Sequence, residues 1–264
     1  MQASKGYSLH IGLNRLDPNA YFGWDGEPSS GEADARAMKA IADSQGFRSK
    51  LLPTEQATIH KVTSEIEKAA KMKSHDIFLL TYSGHGDWIR DKKDPTKKVA
   101  AWDLYDGQLS GDELFALWGK FKAGARILVI SDSCHSGTVT YVISTERGTP
   151  PYVHRRLHHE SRQESCQLAI PPNPWAAEFD ASVLLISACQ DNQKAHQGPD
   201  YAVFTAALLD VWDNGKFQGD YWAFYENIMS EMLGPEQTPN FFLMGANYQN
   251  NRAFVQERPF KIQK

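Results

Sequence analysis

The sequence predicts an α/β fold in which a mostly parallel sheet carries helices on both faces. Three observations predict it. The runs "DIFLLTYSGHG", "RILVISDSC" and "SVLLISACQ" are almost continuously apolar, as strands buried on both faces must be. The stretches "EADARAMKAIADSQGF" and "TIHKVTSEIEKAAKMK" carry a helical apolar period instead. The two kinds of segment alternate along the chain, which is the order a parallel sheet requires.

Taken in order, "SLHIGLN" alternates Leu9, Ile11 and Leu13 and reads as the first strand. A loop rich in Gly, Pro and Ser follows. The next helix places Ala33, Ala37, Met38, Ile41 and Ala42 on one face; Ser29 and Glu32 have capping-box spacing at its start, and Gly46 is its stop. The second helix repeats the pattern with Ile59, Val62, Ile66 and Ala69. "DELFALWGKF" is a short helix before the second buried strand, and "AVFTAALLDVW" is an amphipathic helix after the third. Trp212, Trp222, Phe224 and Tyr225 are core or lid residues. From about 139 to 181 no period holds, and the segment carries Pro150, Pro151, Pro171, Pro172 and Pro174. Structureless loops beyond about 12–15 residues in compact domains are usually functional or disordered. Residues 1–264 are accordingly expected to form a single domain with one long internal linker.

Composition narrows the function. A formal net charge of -4 implies no broad basic surface for nucleic acid. The start "MQASKGYSLH" lacks a secretory apolar stretch, and no segment approaches the ~20 apolar residues of a membrane helix. Cys134, Cys166 and Cys189 are an odd number without metal-type spacing, which fits reduced thiols in the cytoplasm. His154, His158 and His159 with Cys166 match no strong zinc pattern, so no metal is assigned there.

The chemistry gathers where the apolar runs end. Ligands of open parallel sheets bind outside the carboxyl ends of the strands, and one run ends in His85, the other in Cys134. A thiol is a weak nucleophile until an imidazole or other base takes its proton. Gly84, Gly86 and Gly137 flank the pair, and glycine beside a reacting centre lets backbone N–H groups approach a developing oxyanion. A lone Cys after a buried strand is usually core, and a lone His in "SGHG" fits a turn; the two together at strand ends point to catalysis.

"YSGHG" and "SDSCHSG" resemble the histidine and cysteine motifs of caspase-like peptidases, in particular the metacaspase and bacterial orthocaspase branch. Cys134 follows His85 by 49 positions, against about 50 in caspases. The resemblance runs from "SLHIGLN" through "LYDGQLSGDEL" and "ISACQDNQ" to "FTAALL", in the same order. It implies a caspase-type sheet of about six strands and a cysteine endopeptidase. Cys134 would be the nucleophile, His85 would protonate the leaving amine, and the N–H groups of Gly86 and Cys134 would hold the oxyanion. With seven residues ahead of its first strand, the chain is expected to carry no recruitment prodomain.

Where the caspase signature has Gln two residues before the nucleophile, this chain has Asp132. An anion there disfavours an acidic substrate side chain and favours a cation. The resemblance adds Asp34, in "EADA", and Ser83 as pocket residues, so the bond cleaved should follow Arg or Lys. The alternative for Asp34 is a solvated first-turn residue favoured by the helix dipole. Metacaspases often carry a Cys shortly before this acidic residue; Gly31 stands near that place here, which bears on the pocket's shape and not its charge. Such an enzyme would find substrate in its own linker, where Arg155 and Arg156 are the expected self-cleavage points.

No cofactor is required by this chemistry. Many metacaspases bind calcium through acidic residues after the histidine strand, and Asp103, Asp106, Asp112 and Glu113 are the candidates here. The doubled Asp of calcium-dependent members reads Gly111-Asp112, and turn and helix-start roles suit these residues better. The expected partners are proteins or peptides with a basic residue before the scissile bond, and the expected state is a monomer. The rival from another class is a catalytically silent caspase-fold regulatory or interaction module. Such relatives usually lose the His or the Cys, and both are present. A third reading, an amidase or acyl transferase acting on an apolar acyl group, sits poorly with an acidic pocket.

Overall fold

The computed structural model describes residues 3–27, 29–91, 94–96, 98–134, 179–190, 193, 195–232 and 237–263. Its main sheet is built from β1 (Gly6–Gly12), β2 (Arg48–Pro53), β3 (Ile77–Ser83), β7 (Arg126–Asp132), β8 (Ser182–Ser187) and β9 (Asn240–Met244), in the order β2-β1-β3-β7-β8-β9. Every neighbouring pair is parallel except β8 and β9, which are antiparallel. A second sheet joins β4 (Gly86–Arg90), β5 (Lys98–Leu104) and β6 (Gly107–Ser110), all antiparallel. The expected mostly parallel sheet is therefore present, with six strands.

Side chains alternate across the main sheet and divide the core in two. On one face Ile77, Leu79, Leu128, Ile130, Leu184 and Ile186 pack under α1 (Gly31–Ser44), α4 (Val203–Trp212) and α5 (Tyr221–Glu231). On the other, Phe78, Leu80, Tyr82, Ile127, Val129 and Leu185 pack under α2 (Ile59–Ala69), α3 (Gly111–Trp118) and the small sheet. The strands β3, β7 and β8 are buried along their whole length, which is why they are apolar at every position. Among the described residues no helix is long and apolar enough to cross a membrane.

Two expectations for α1 need correction. The N-cap is Ser30, without a side-chain cap bond, and the Ser29–Glu32 capping box does not form. The Ser29 hydroxyl donates instead to the Leu13 carbonyl at 2.6 Å, and Ser30 Oγ donates to Asp34 Oδ2 at 3.1 Å. The buried face is Gly31, Asp34, Ala35, Met38, Ile41 and Ala42, so Ala33 and Ala37 lie at its margin. Asp34 stands four residues before Met38 and seven before Ile41, so the helical repeat carries a carboxylate onto the buried face. The helix end, two residues before Gly46 at φ 84°, is as expected.

Further along, Trp212, Phe224 and Tyr225 are core, and Trp222 is partly buried against them. At the end of the expected linker, Phe179 and Ala181 are buried, and β8 starts at Ser182. The rest of it, including Arg155, Arg156, His154, His158, His159 and Cys166, lies outside the described residues.

Candidate active site

The register of the sheet answers why two strands end as they do. β3 and β7 are adjacent and parallel, with Ser83 paired to Asp132. His85 and Cys134 each lie two residues beyond that pair, so they leave the sheet at the same level. Neighbouring strands are about 4.8 Å apart, so an imidazole and a thiol launched together can meet. Gly86 fits between them: a Cβ there would lie 2.4 Å from the Cys134 carbonyl oxygen, so only glycine permits this approach. Cys134 is half-buried and carries no disulfide.

His85 is held from below and from one side. The Tyr82 hydroxyl, buried against the stacked ring of Trp102, donates to the His85 carbonyl at 2.6 Å. The Asp103 amide donates to the same carbonyl at 3.0 Å. Trp102 Nε1 donates to Ser131 Oγ at 3.0 Å, tying this shelf to β7. Tyr82→Phe removes one donor from a carbonyl that must stay in place. We expect a several-fold fall in kcat with KM little changed, and a stability loss of about 1–2 kcal/mol in urea titrations.

The loop before α1 forms the other wall. The Trp24 ring packs on the His85 ring with centroids 5.1 Å apart. Gly26, at φ 87°, presents its Cα to the imidazole, where a Cβ would lie 3.3 Å from Cδ2 and Nε2. Nε2 is 3.2 Å from both the amide nitrogen and the carbonyl oxygen of Glu27. When Nε2 is bare, Glu27 N–H can donate to it; when Nε2 is protonated, it can donate to the carbonyl. One backbone unit thus serves either tautomer, and when Nε2–H donates to the carbonyl Nδ1 is bare and can take a proton.

On the opposite face of the sheet lie two buried carboxylates. Asp34 Oδ2 accepts from Ser83 Oγ at 2.6 Å, and Asp34 Oδ1 accepts from the Ala202 amide at 3.1 Å. Asp132 Oδ2 accepts from the Thr205 amide at 3.1 Å and from Thr205 Oγ1 at 2.8 Å. Asp132 Oδ1 is buried with no hydrogen-bond partner among the described residues. Only 1% of Asp34 and 4% of Asp132 are exposed, so the solvated first-turn alternative for Asp34 is excluded. Burial and then the Asp34 charge push Asp132 up to about 7. Burial likewise raises Asp34. No ion pair to either is formed among the described residues. The three substrate residues expected from sequence are therefore neighbours just before the Cys134 turn: Ser83 donates to Asp34 and pairs in register with Asp132, whose own side chain is bonded to Thr205.

Thr205 and Ala202, at the start of α4, were missed as members of this cluster. A single hydroxyl on the otherwise apolar "AVFTAALL" face was the available signal. Trp24 and Glu27 were missed because their loop has no period. Cys189 is buried as expected, and its thiol also donates to the Ser133 carbonyl at 3.3 Å, bracing the residue before Cys134.

The acidic residues after the histidine strand are committed elsewhere. Asp103 accepts from Gln108 Nε2 at 2.7 Å, and Asp106 Oδ1 accepts from the Ile59 amide at 2.7 Å. Glu113 completes a capping box with Ser110 at the start of α3, where Asp112 also lies. Among the described residues no three His, Cys, Asp or Glu side chains could hold a metal ion. Two concavities, of about 170 and 440 Å³, lie away from the His85–Cys134 pair: Asp91 and Glu113 line the first, Asp200 and Asp210 the second.

Comparison with known proteins shows the family and the fold. Residues 17–247 match the family model described as Caspase domain. Metacaspase-8 of Arabidopsis thaliana is 28% identical over 127 residues, which is 43% of this chain and 33% of that protein. The chain thus spans about a third of the length of this curated relative. A structural-genomics target protein of Geobacter sulfurreducens is 38% identical, with a TM-score of 0.78 covering 98% of this chain and 100% of that one. Caspase-1 of Spodoptera frugiperda shares the fold at 12% identity, with a TM-score of 0.58 covering 92% of this chain and 87% of that one.

Proposed function

The chain belongs to the caspase domain family, and from that premise we propose that it is a cysteine endopeptidase cleaving after arginine or lysine. The observation that carries the reading is the Asp34–Ser83–Asp132 group: two buried carboxylates without a cationic partner among the described residues, directly behind Cys134. Burying a carboxylate without a counter-ion is costly, and a guanidinium or ammonium from outside would relieve it. Asp132 Oδ1 is the oxygen left open for it.

In the proposed cycle His85 holds the proton taken from the Cys134 thiol. The thiolate attacks the carbonyl carbon of the basic residue, and its oxygen becomes an oxyanion beside the Gly86 and Cys134 amides. The carbon–nitrogen bond then breaks, the nitrogen takes the proton from the imidazolium, and a thioester remains. Water gives a proton to His85 and attacks the thioester; the acid leaves and the thiol is restored. The Glu27 carbonyl suits this cycle, because Nδ1 can take the thiol proton only while Nε2 keeps its own and donates it to that carbonyl.

A panel of fluorogenic peptides differing only at the residue before the scissile bond tests the specificity. Arg and Lys peptides should be cleaved, and Asp or neutral peptides at least about 100-fold more slowly, as an unpaired carboxylate cluster demands. A preference for Asp would overturn the pocket assignment.

A further inference from the structure

We propose that Trp24 and Phe22 form the subsite for the residue after the scissile bond, and that this subsite selects an apolar side chain. The inference rests on the peptidase reading above. If His85 protonates the leaving nitrogen, the residue bearing that nitrogen must lie on the His85 side of Cys134. The acidic cluster lies on the α1 and α4 face of the sheet, and the His85 shelf of Tyr82 and Trp102 lies on the other. A substrate whose basic side chain enters the first therefore lays its next residue along the second. What it meets there is Trp24.

Trp24 contacts the His85 ring on one side and is 44% exposed, while Phe22, two residues earlier, is fully exposed. These are two of the three exposed large apolar side chains among the described residues, and both lie in this one loop. The loop is built to hold them. Asp17 N–H donates to the Tyr105 carbonyl at 3.0 Å, Leu16 N–H to the Asp25 carbonyl at 2.7 Å, and Trp24 N–H to the Tyr21 carbonyl at 3.1 Å. The Tyr21 hydroxyl donates to the Leu104 carbonyl at 2.6 Å, and its ring meets Trp24 edge-on. Phe22 itself sits at φ 55°, a conformation that costs a bulky residue energy and here turns its ring outward. Aromatic surface presented by a fixed loop beside a reacting centre is what an apolar subsite consists of. The occupant is one residue of an extended peptide, Leu or Phe in preference to Gly, Ser or Asp.

The test uses internally quenched peptides with Arg before the scissile bond and Gly, Leu, Phe or Asp after it. For the wild type, kcat/KM should be about tenfold higher with Leu or Phe than with Gly, the scale expected of a half-open apolar contact. Trp24→Ala and Phe22→Ala should each shrink that ratio at least about threefold. The ratio is the readout because a general disturbance of His85 lowers both rates and cancels. Phe22→Ala adds a second check, since the Phe22 side chain is fully exposed and the ring packed on His85 is that of Trp24. A wild-type ratio near one, or a ratio unmoved by both substitutions, overturns the subsite while leaving the peptidase reading intact. Failure to cleave any Arg peptide would overturn the peptidase reading, and the subsite with it.

Discussion

Cys134→Ala and His85→Ala should each lower peptide hydrolysis by at least about 10⁴-fold, because nucleophile and proton carrier act as one unit. Neither side chain fills the core, so the melting temperature should stay within a few degrees of wild type. The two defects should not add: the double variant should be no slower than Cys134→Ala. A steady-state assay on pure protein reads all three. More than a few per cent of activity in Cys134→Ala would remove the thiol from the mechanism. The same variant separates self-processing from adventitious proteolysis. Cleavage after Arg155 or Arg156 of the 29.7 kDa chain would give fragments of about 17 and 12 kDa by intact mass, a nick of the kind exposed loops permit. They should appear in the wild type and be missing in Cys134→Ala.

Asp132→Asn should have two opposite effects. For activity, it removes the charge that would meet a basic side chain, so kcat/KM for Arg peptides should fall by about 10- to 100-fold, matching one charge-assisted contact of about 1.5–3 kcal/mol. For stability, the sign follows from a pKa raised in the fold. Asp132 rises from an ordinary 3.8 to about 7. Between those values the folded chain binds the proton more tightly than the unfolded one. Its favourable contribution is complete below pH 3.8 and is lost as pH rises through 7. At pH 8 the fold carries an ionised buried carboxylate, at a cost of up to about 4 kcal/mol. Asp132→Asn should therefore raise the urea midpoint at pH 8 and change it little at pH 5. Substrate binding requires the carboxylate, so kcat/KM for Arg peptides should fall below about pH 7 in the wild type. Asp132→Asn should lack that acidic limb. A variant that loses stability at pH 8 while keeping its Arg preference would show that Asp132 is structural only.

How much of this was legible depended on burial. β3, β7 and β8 are covered on both faces, so their sequence is apolar throughout and could be read directly. β2 is half-exposed and β4 has no fully buried residue, so neither offers a continuous apolar run. β4 escaped for that reason; β5 escaped although it is buried from Val99 to Leu104 and carries Trp102 and the amide that holds the His85 carbonyl. His85 and Cys134 were legible because each ends a buried strand. Asp34 was legible as a pocket residue only through family resemblance, although it stands four positions before Met38 and seven before Ile41, on the face that is buried; Ser83 and Ala202 donate to it there. Glu27 acts through its backbone, which no side-chain pattern can announce. Thr205 stood out only as one hydroxyl on an apolar helix face, and its partner Asp132 is 73 positions away.

The most direct measurement is covalent labelling with a peptidyl acyloxymethyl ketone carrying arginine at its reactive end. The thiolate should displace the acyloxy group and leave one thioether on Cys134, read by intact mass and peptide mapping. Labelling should be fast in the wild type, absent in Cys134→Ala, slowed in Asp132→Asn, and undetectable when aspartate replaces arginine in the probe. Equal labelling by the arginine and aspartate probes, or modification at Cys166 or Cys189 in place of Cys134, would contradict a thiol peptidase with an acidic pocket.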